Sequence, residues 1–125
     1  MEYYIQIHDQ YLLVCFKKDT VLSPDLIREV LTEQRKEKGH LVLNDVWDTR
    51  GCIPDRRLNS ESIARIVDYI KELHAPGQYH QKSALIVDSE LAYGVSRIYQ
   101  TLTEELPFET QIFRDNQEAQ AWILS

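Results

Sequence analysis

Apolar and polar positions change their spacing several times along the chain, and each change marks an element. Tyr3 to His8 and Tyr11 to Phe16 are two β-rich runs separated by the polar pair Asp9-Gln10, which reads as a tight hairpin. YLLVCF, the second run, is the more continuously apolar, so it is expected inside the sheet with the first run as an edge strand. Ser23-Pro24-Asp25 then starts a helix: Ser23 can accept from a free backbone N–H, Pro24 has no N–H to lose, and Asp25 suits the positive end of the dipole. Leu26, Ile27, Val30 and Leu31 share its apolar face, Arg35 to Lys38 reads as a solvated tail, and Gly39 ends it.

His40 to Trp47 is a third strand, broken by Asp48-Thr49-Arg50-Gly51 and followed by an irregular loop from Cys52 to Arg57. Asn59 can cap a second helix with Ile63, Ile66, Val67, Ile70 and Leu73 on one face, and Ala75-Pro76-Gly77 stops it. Ser83 to Val87 is a fourth strand. The third helix carries a wide apolar stripe of Leu91, Ala92, Val95, Ile98, Tyr99 and Leu102. Gly94 lies inside it, where glycine costs about 1 kcal/mol relative to alanine; a close approach to the sheet or a ligand would compensate. After Leu106-Pro107, Phe108 to Phe113 makes a fifth strand, and Asp115 with Glu118 has capping-box spacing before a last helix that turns Ala119, Trp122 and Ile123 inward.

The order ββαβαβαβα predicts one α/β domain over residues 1–125: a mixed, mostly parallel five-stranded sheet with an N-terminal β-hairpin and four helices. Right-handed crossovers bring the C-terminal ends of the parallel strands to one edge, where open α/β sheets bind ligands. That edge collects Trp47, Asp48, Arg50, Asp88, Ser89, Tyr93, Arg114 and Asp115, with Arg97 one turn beyond Tyr93. The stretch from Ser83 to Arg97, an apolar strand meeting Asp88-Ser89 at a helix start, is its centre.

Length and composition agree with an ordinary folded domain: 125 residues, 43% hydrophobic and 27% charged, enough for a core without metal or disulfide. A net charge of -6 argues against nucleic acid, whose phosphates need clustered Lys and Arg. No apolar run reaches the roughly 20 residues of a membrane span, and MEYYIQIH lacks a signal peptide's basic head and apolar middle; a cytoplasmic protein is expected. Cys15 and Cys52 form no CxxC pair and are expected as free thiols, Cys15 in the core and Cys52, in a loop, the one to test for reactivity.

Candidate chemistry thins out on inspection. Ser89 has Asp88 beside it, yet none of His8, His40, His74 and His80 is expected near it, so a triad lacks its base. No His or Cys pair has metal-ligand spacing on one element, and His74 and His80 straddle a Pro-Gly break. No phosphate-binding glycine loop is present among the 4 glycines, so no cofactor is expected. A receiver domain is disfavoured because Arg114 stands where its lysine should be and the hairpin does not suit that topology. Asp48, Arg50, Ser89, Tyr93 and Arg97 could instead line a small pocket or contact surface, against the reading of Asp48–Arg50 as a turn-fixing ion pair and Ser89 as a cap. With 7 Tyr and 2 Trp, contact surfaces have material to use. Tyr3, Tyr4 and Tyr11 by the edge hairpin, and Trp47 at a strand end, could serve an interface, including a homodimer.

The element order, with LAYGVSRIYQTL (Leu91–Leu102), LPFETQIFRD (Leu106–Asp115), EAQAWIL (Glu118–Leu124) and the acidic-x-Arg-Gly turn Asp48-Thr49-Arg50-Gly51, resembles STAS domains of the anti-sigma-factor antagonist type. It is most similar to a group of poorly characterised bacterial STAS-like and CRAL-TRIO-like domain proteins. The resemblance implies a non-enzymatic regulatory module that binds a protein partner. Its lipid-transfer side implies, as the alternative, a carrier or sensor of a small anionic or lipid-like ligand at the same edge. Antagonists of this type are switched by a phosphoserine in an Asp-Ser-Ser-Gly-Leu-like motif. Asn59-Ser60-Glu61-Ser62 occupies that region without the motif, which leaves Ser60 as the phosphosite candidate and the switch not carried over.

Overall fold

Alternation along the strands decides which helix covers which face. In a computed structural model describing residues 2–39, 43–75, 77, 79 and 82–125, five strands lie in the order β1-β2-β4-β6-β7: β1 (Tyr3–Ile7), β2 (Tyr11–Phe16), β4 (Asn44–Asp48), β6 (Lys82–Ile86) and β7 (Glu109–Phe113). β1 runs antiparallel to β2 and every other neighbouring pair is parallel, as the hairpin-then-crossover order requires. Val46, Ala84 and Ile86 point to one face, where Ala119 and Ile123 of α4 (Asn116–Ile123) close over them. Leu12, Val14 and Trp47 point to the other and meet Leu26 and Val30 of α1 (Pro24–Lys38).

The helix starts are those the sequence signals. Ser23 accepts from the Leu26 N–H at 3.1 Å and Ser89 from the Ala92 N–H at 3.1 Å, the latter opening α3 (Glu90–Leu102). Asn59 opens α2 (Ser60–Leu73) through a reciprocal box with Ser62. At α4 Asp115 accepts from the Glu118 N–H at 3.0 Å. The packing partners of α2 are α1 and α3: Leu58, Ile63, Ile66 and Ile70 pack with Ile27 and Leu31 on one side and Val95, Ile98 and Tyr99 on the other. It therefore spans the two flanking helices like a lintel over the sheet.

Four expectations change. The third strand starts at Asn44, Leu43 precedes it without strand structure, and residues 40–42, with His40, lie outside the described set. Within the stretch from Cys52 to Arg57, read as an irregular loop, Ile53–Pro54 forms β5 and pairs in parallel with β3 (Val21–Leu22), both strands too short to leave a periodic signal. Leu91 and Leu102 of the apolar stripe on α3 are exposed, and only Ala92 there is fully buried, because the helix offers α2 and the cavity beneath it a narrower face. Finally, a Cβ built on Gly94 would meet nothing within 4 Å, so neither sheet nor helix approaches it closely. Gly51 does have a reason: its φ is +82° and the Lys18 Cα lies 3.6 Å from where its Cβ would stand.

The cysteines also depart from their reading. Cys15 is only partly buried. Cys52 is half-buried in its loop, and burial, followed by the carboxylates of Asp48 and Asp88, pushes its thiol up to about 12. Burial likewise raises Cys15. Both thiols should resist iodoacetamide in the native protein at about pH 8, where thiolate is the reactive form, and label fully in urea; rapid native labelling of Cys52 would contradict this. Gly94→Ala should stabilise the domain by about 1 kcal/mol, the helix-propensity difference at an open site, and raise Tm by about 3–6 °C. Thermal unfolding with an unchanged or lower Tm would show that the glycine is needed.

Candidate functional site

The strand-end edge is built, and its charges are already engaged. Arg50 turns back on Asp48 through Nε at 2.9 Å and Nη2 at 2.7 Å, a two-pronged pair that raises the guanidinium pKa further, chiefly through these hydrogen bonds. The neighbouring loop is tied across by Asp88, whose carboxylate accepts from the Gly51 N–H at 2.9 Å, and by Thr49, which donates through N and Oγ1 to the Ile86 carbonyl. Arg114 reaches Glu90 at 3.0 Å and lies 5.5 Å from the Tyr93 ring centre, a cation over an aromatic face. Arg97 points along its own helix to the Gln100 Oε1 at 3.0 Å. Asp48, Arg50, Asp88 and Ser89 thus gather at one edge as read from the sequence. Tyr93 joins Arg114, while Arg97 stays apart.

Two proposed interface groups move into the core. Trp47 is buried, its indole N–H donating to the Gln34 Oε1 at 3.1 Å, because strand alternation turns it under α1 rather than out at the strand end. Tyr3 and Tyr11 are buried too, leaving Tyr4, with Ile7, exposed on the edge strand β1. Ser60 is exposed as the first residue of α2, next to the Asn59–Ser62 cap. Among the described residues no three His, Cys, Asp or Glu side chains cluster as a metal site; His8 stacks on Tyr11, His74 ends α2, and His80 lies outside the described set.

What the sequence reading missed lies under α2. The Asp45 carboxylate, near the start of β4, is buried with one donor on each oxygen: Gln34 Nε2 at 2.5 Å and the Ser83 hydroxyl at 2.5 Å, Ser83 being its register partner on β6. Gln34 in turn holds Trp47, so helix and two strands share one polar network. Between this floor and α2 is a cavity of about 100 Å³, walled by Leu58, Ile63, Ile66, Val95 and other apolar side chains. Lys38 lines its end and is 3% exposed, where the sequence reading put a solvated tail. His74 closes the same end with Nδ1 on the Ile70 carbonyl, and burial holds its pKa below the ordinary value. A signal was present: Val30, Gln34 and Lys38 follow at intervals of four, so the two polar residues continue the apolar face of α1.

Trp47 lines this cavity, whereas Asp48, Arg50, Asp88, Ser89, Tyr93 and Arg97 stand outside its lining. No helix among the described residues is long and apolar enough to cross a membrane. No family model matches the chain, and no curated protein matches it. Among solved structures, the chain is similar to an uncharacterised protein of the DUF3478 family with a SpoIIAA-like fold, from Shewanella loihica PV-4. The TM-score is 0.59 at 14% identity, over 97% of this chain and 91% of that one. The lipid-transfer half of the sequence resemblance has no counterpart in that comparison. The fold is the SpoIIAA-like fold of STAS domains, a single α/β domain with four helices on a mixed five-stranded sheet.

Proposed function

We propose that this chain is a non-enzymatic regulatory module that works by protein contact, and that the contact surface is the face beside the strand-end edge. The observation that carries this reading is an apolar strip standing free next to charges that already have partners. Val21 and Ile53, register partners in the β3–β5 ribbon, are each 49% exposed, and Leu91 at the start of α3 is 62% exposed. Leu91 lies on the α3 face that, one and two turns on, presents Val95 and Ile98 to α2, and β5 packs against α3. Apolar groups ringed by engaged polar ones are the usual make-up of a protein contact.

The edge charges hold loops rather than act on a substrate: Asp88 accepts from the Gly51 N–H through one oxygen, and Asp48 engages Arg50 with both. The alternative of an anionic ligand held by Arg50 and Arg97 gains no support here, since Arg50 is closed on Asp48 and Arg97 faces Gln100. Affinity capture from native lysate with the wild-type chain and with the I53D/L91D double variant tests the proposal. A specific protein should be retained by the wild type and lost with the variant, whose circular dichroism is unchanged. Equal recovery with both, or none above a mock column, would refute the surface.

A further inference from the structure

The two edges of the sheet are finished differently. At β7 the edge is closed: Gln100 of α3 donates from Nε2 to the Thr110 carbonyl at 2.8 Å, α3 packs against the strand, and Glu109 and Arg114 bracket it with charge. An edge that stays open is normally protected by charged residues, proline or a bulge. β1 has none of these. Its sequence YYIQI carries no charge and no proline, it pairs with β2 in unbroken register, and Tyr4 and Ile7 are 52% and 47% exposed.

The ladder to β2 fixes which backbone groups this edge presents. The Lys17 N–H donates to the Glu2 carbonyl and the His8 N–H to the Tyr11 carbonyl, both at 2.8 Å, so the even-numbered residues of β1 turn their polar groups to β2. Tyr3, Ile5 and Ile7 therefore send theirs away from the sheet. Among the described residues nothing bonds those outward groups, and such a row is a template for a further strand.

A strand that matches it is β1 itself. Laid antiparallel across a two-fold axis at Ile5, a second copy sets Ile5 opposite Ile5 and Tyr3 opposite Ile7, so every outward residue is in register and each pair exchanges both its hydrogen bonds. The exposed Ile7 then lies beside the second copy's Tyr3, apolar against apolar. On the other face Tyr4 meets Gln6. Just beyond the strand, the Glu2 carboxylate faces the imidazole of His8, which stacks on Tyr11 with ring centres 4.8 Å apart. The symmetry repeats that pairing at both ends. We propose that β1 is a homodimerisation strand, joining the sheets of two copies through an antiparallel β1–β1 ladder centred on Ile5.

One short strand per copy makes a small interface, so the dimer exchanges with the monomer and its population follows concentration. The contact uses none of Val21, Ile53 and Leu91 and is independent of the surface proposed above.

Sedimentation velocity of the full chain over a series from about 5 to about 500 μM tests it. The mass should rise from one chain to two. Ile7→Pro removes an N–H that points away from β2, a place where an edge strand tolerates proline; it should weaken association about 10- to 100-fold, two hydrogen bonds being lost per dimer, with circular dichroism unchanged. Should I7P fail to fold, Ile7→Lys replaces it, with the same loss expected. The register is read by oxidation of the E2C/H8C double variant, which should give a covalent dimer, whereas E2C alone should not. The I53D/L91D variant should dimerise like the wild type. A wild-type mass of one chain across the series would overturn the proposal. So would a dimer that survives the Ile7 substitution, one lost with I53D/L91D, or an E2C/H8C chain that does not cross-link.

Discussion

A carboxylate sits in the middle of this sheet, and the arrangement of one whole face follows from satisfying it. Removing Asp45 from water costs several kcal/mol, offset only if donors meet its oxygens, each charge-assisted hydrogen bond contributing about 1.5–3 kcal/mol. One donor, Ser83, comes from the neighbouring strand in register, and the other, Gln34, from α1. Gln34 can bridge Asp45 and the Trp47 indole only if α1 lies at one height and rotation over β4. Helix position is thus set by directional bonds as well as by the packing of Leu26 and Val30.

The same network explains why α2 is a lintel. The sheet beneath it shows polar Asp45 and Ser83 where a helix laid flat would need an apolar surface. The apolar face of α2 is instead buried between α1 and α3, through Ile63, Ile66 and Ile70. The cavity is what remains between a polar floor and an apolar roof. On the opposite face no such conflict exists, and α4 closes on Val46, Ala84 and Ile86. At the strand ends the charges serve architecture: Asp88 on Gly51 and Thr49 on Ile86 hold the loops that carry the β3–β5 ribbon.

Legibility in the sequence divided along physical lines. Hairpin, crossovers and helix caps were readable because each rests on local chemistry, such as Ser23-Pro24, Asn59 or Asp9-Gln10, that acts within a few residues. The strand-end edge was readable too, since topology alone brings Asp48, Asp88 and Ser89 there. The buried network was not, because Gln34, Asp45 and Ser83 meet only in three dimensions and each, read singly, resembles a surface residue. Lys38 was read as solvated for the same reason, although its four-residue spacing from Gln34 put it on the inward face of α1. Trp47 stands near a strand end in the sequence, yet alternation turns it inward. Gly94 shows the converse error, a glycine given a structural purpose where its surroundings are open.

Native-state hydrogen exchange of the Trp47 indole N–H, followed by NMR, tests the network most directly, since that proton is bonded to the same Gln34 amide that donates to Asp45. A buried, bonded proton exchanges only through large-scale opening, so its protection should match that of the slowest β4 and β6 amides. Exchange at the rate of an exposed indole would mean that the polar floor does not form, and with it the cavity and the arrangement of α1 and α2 described above.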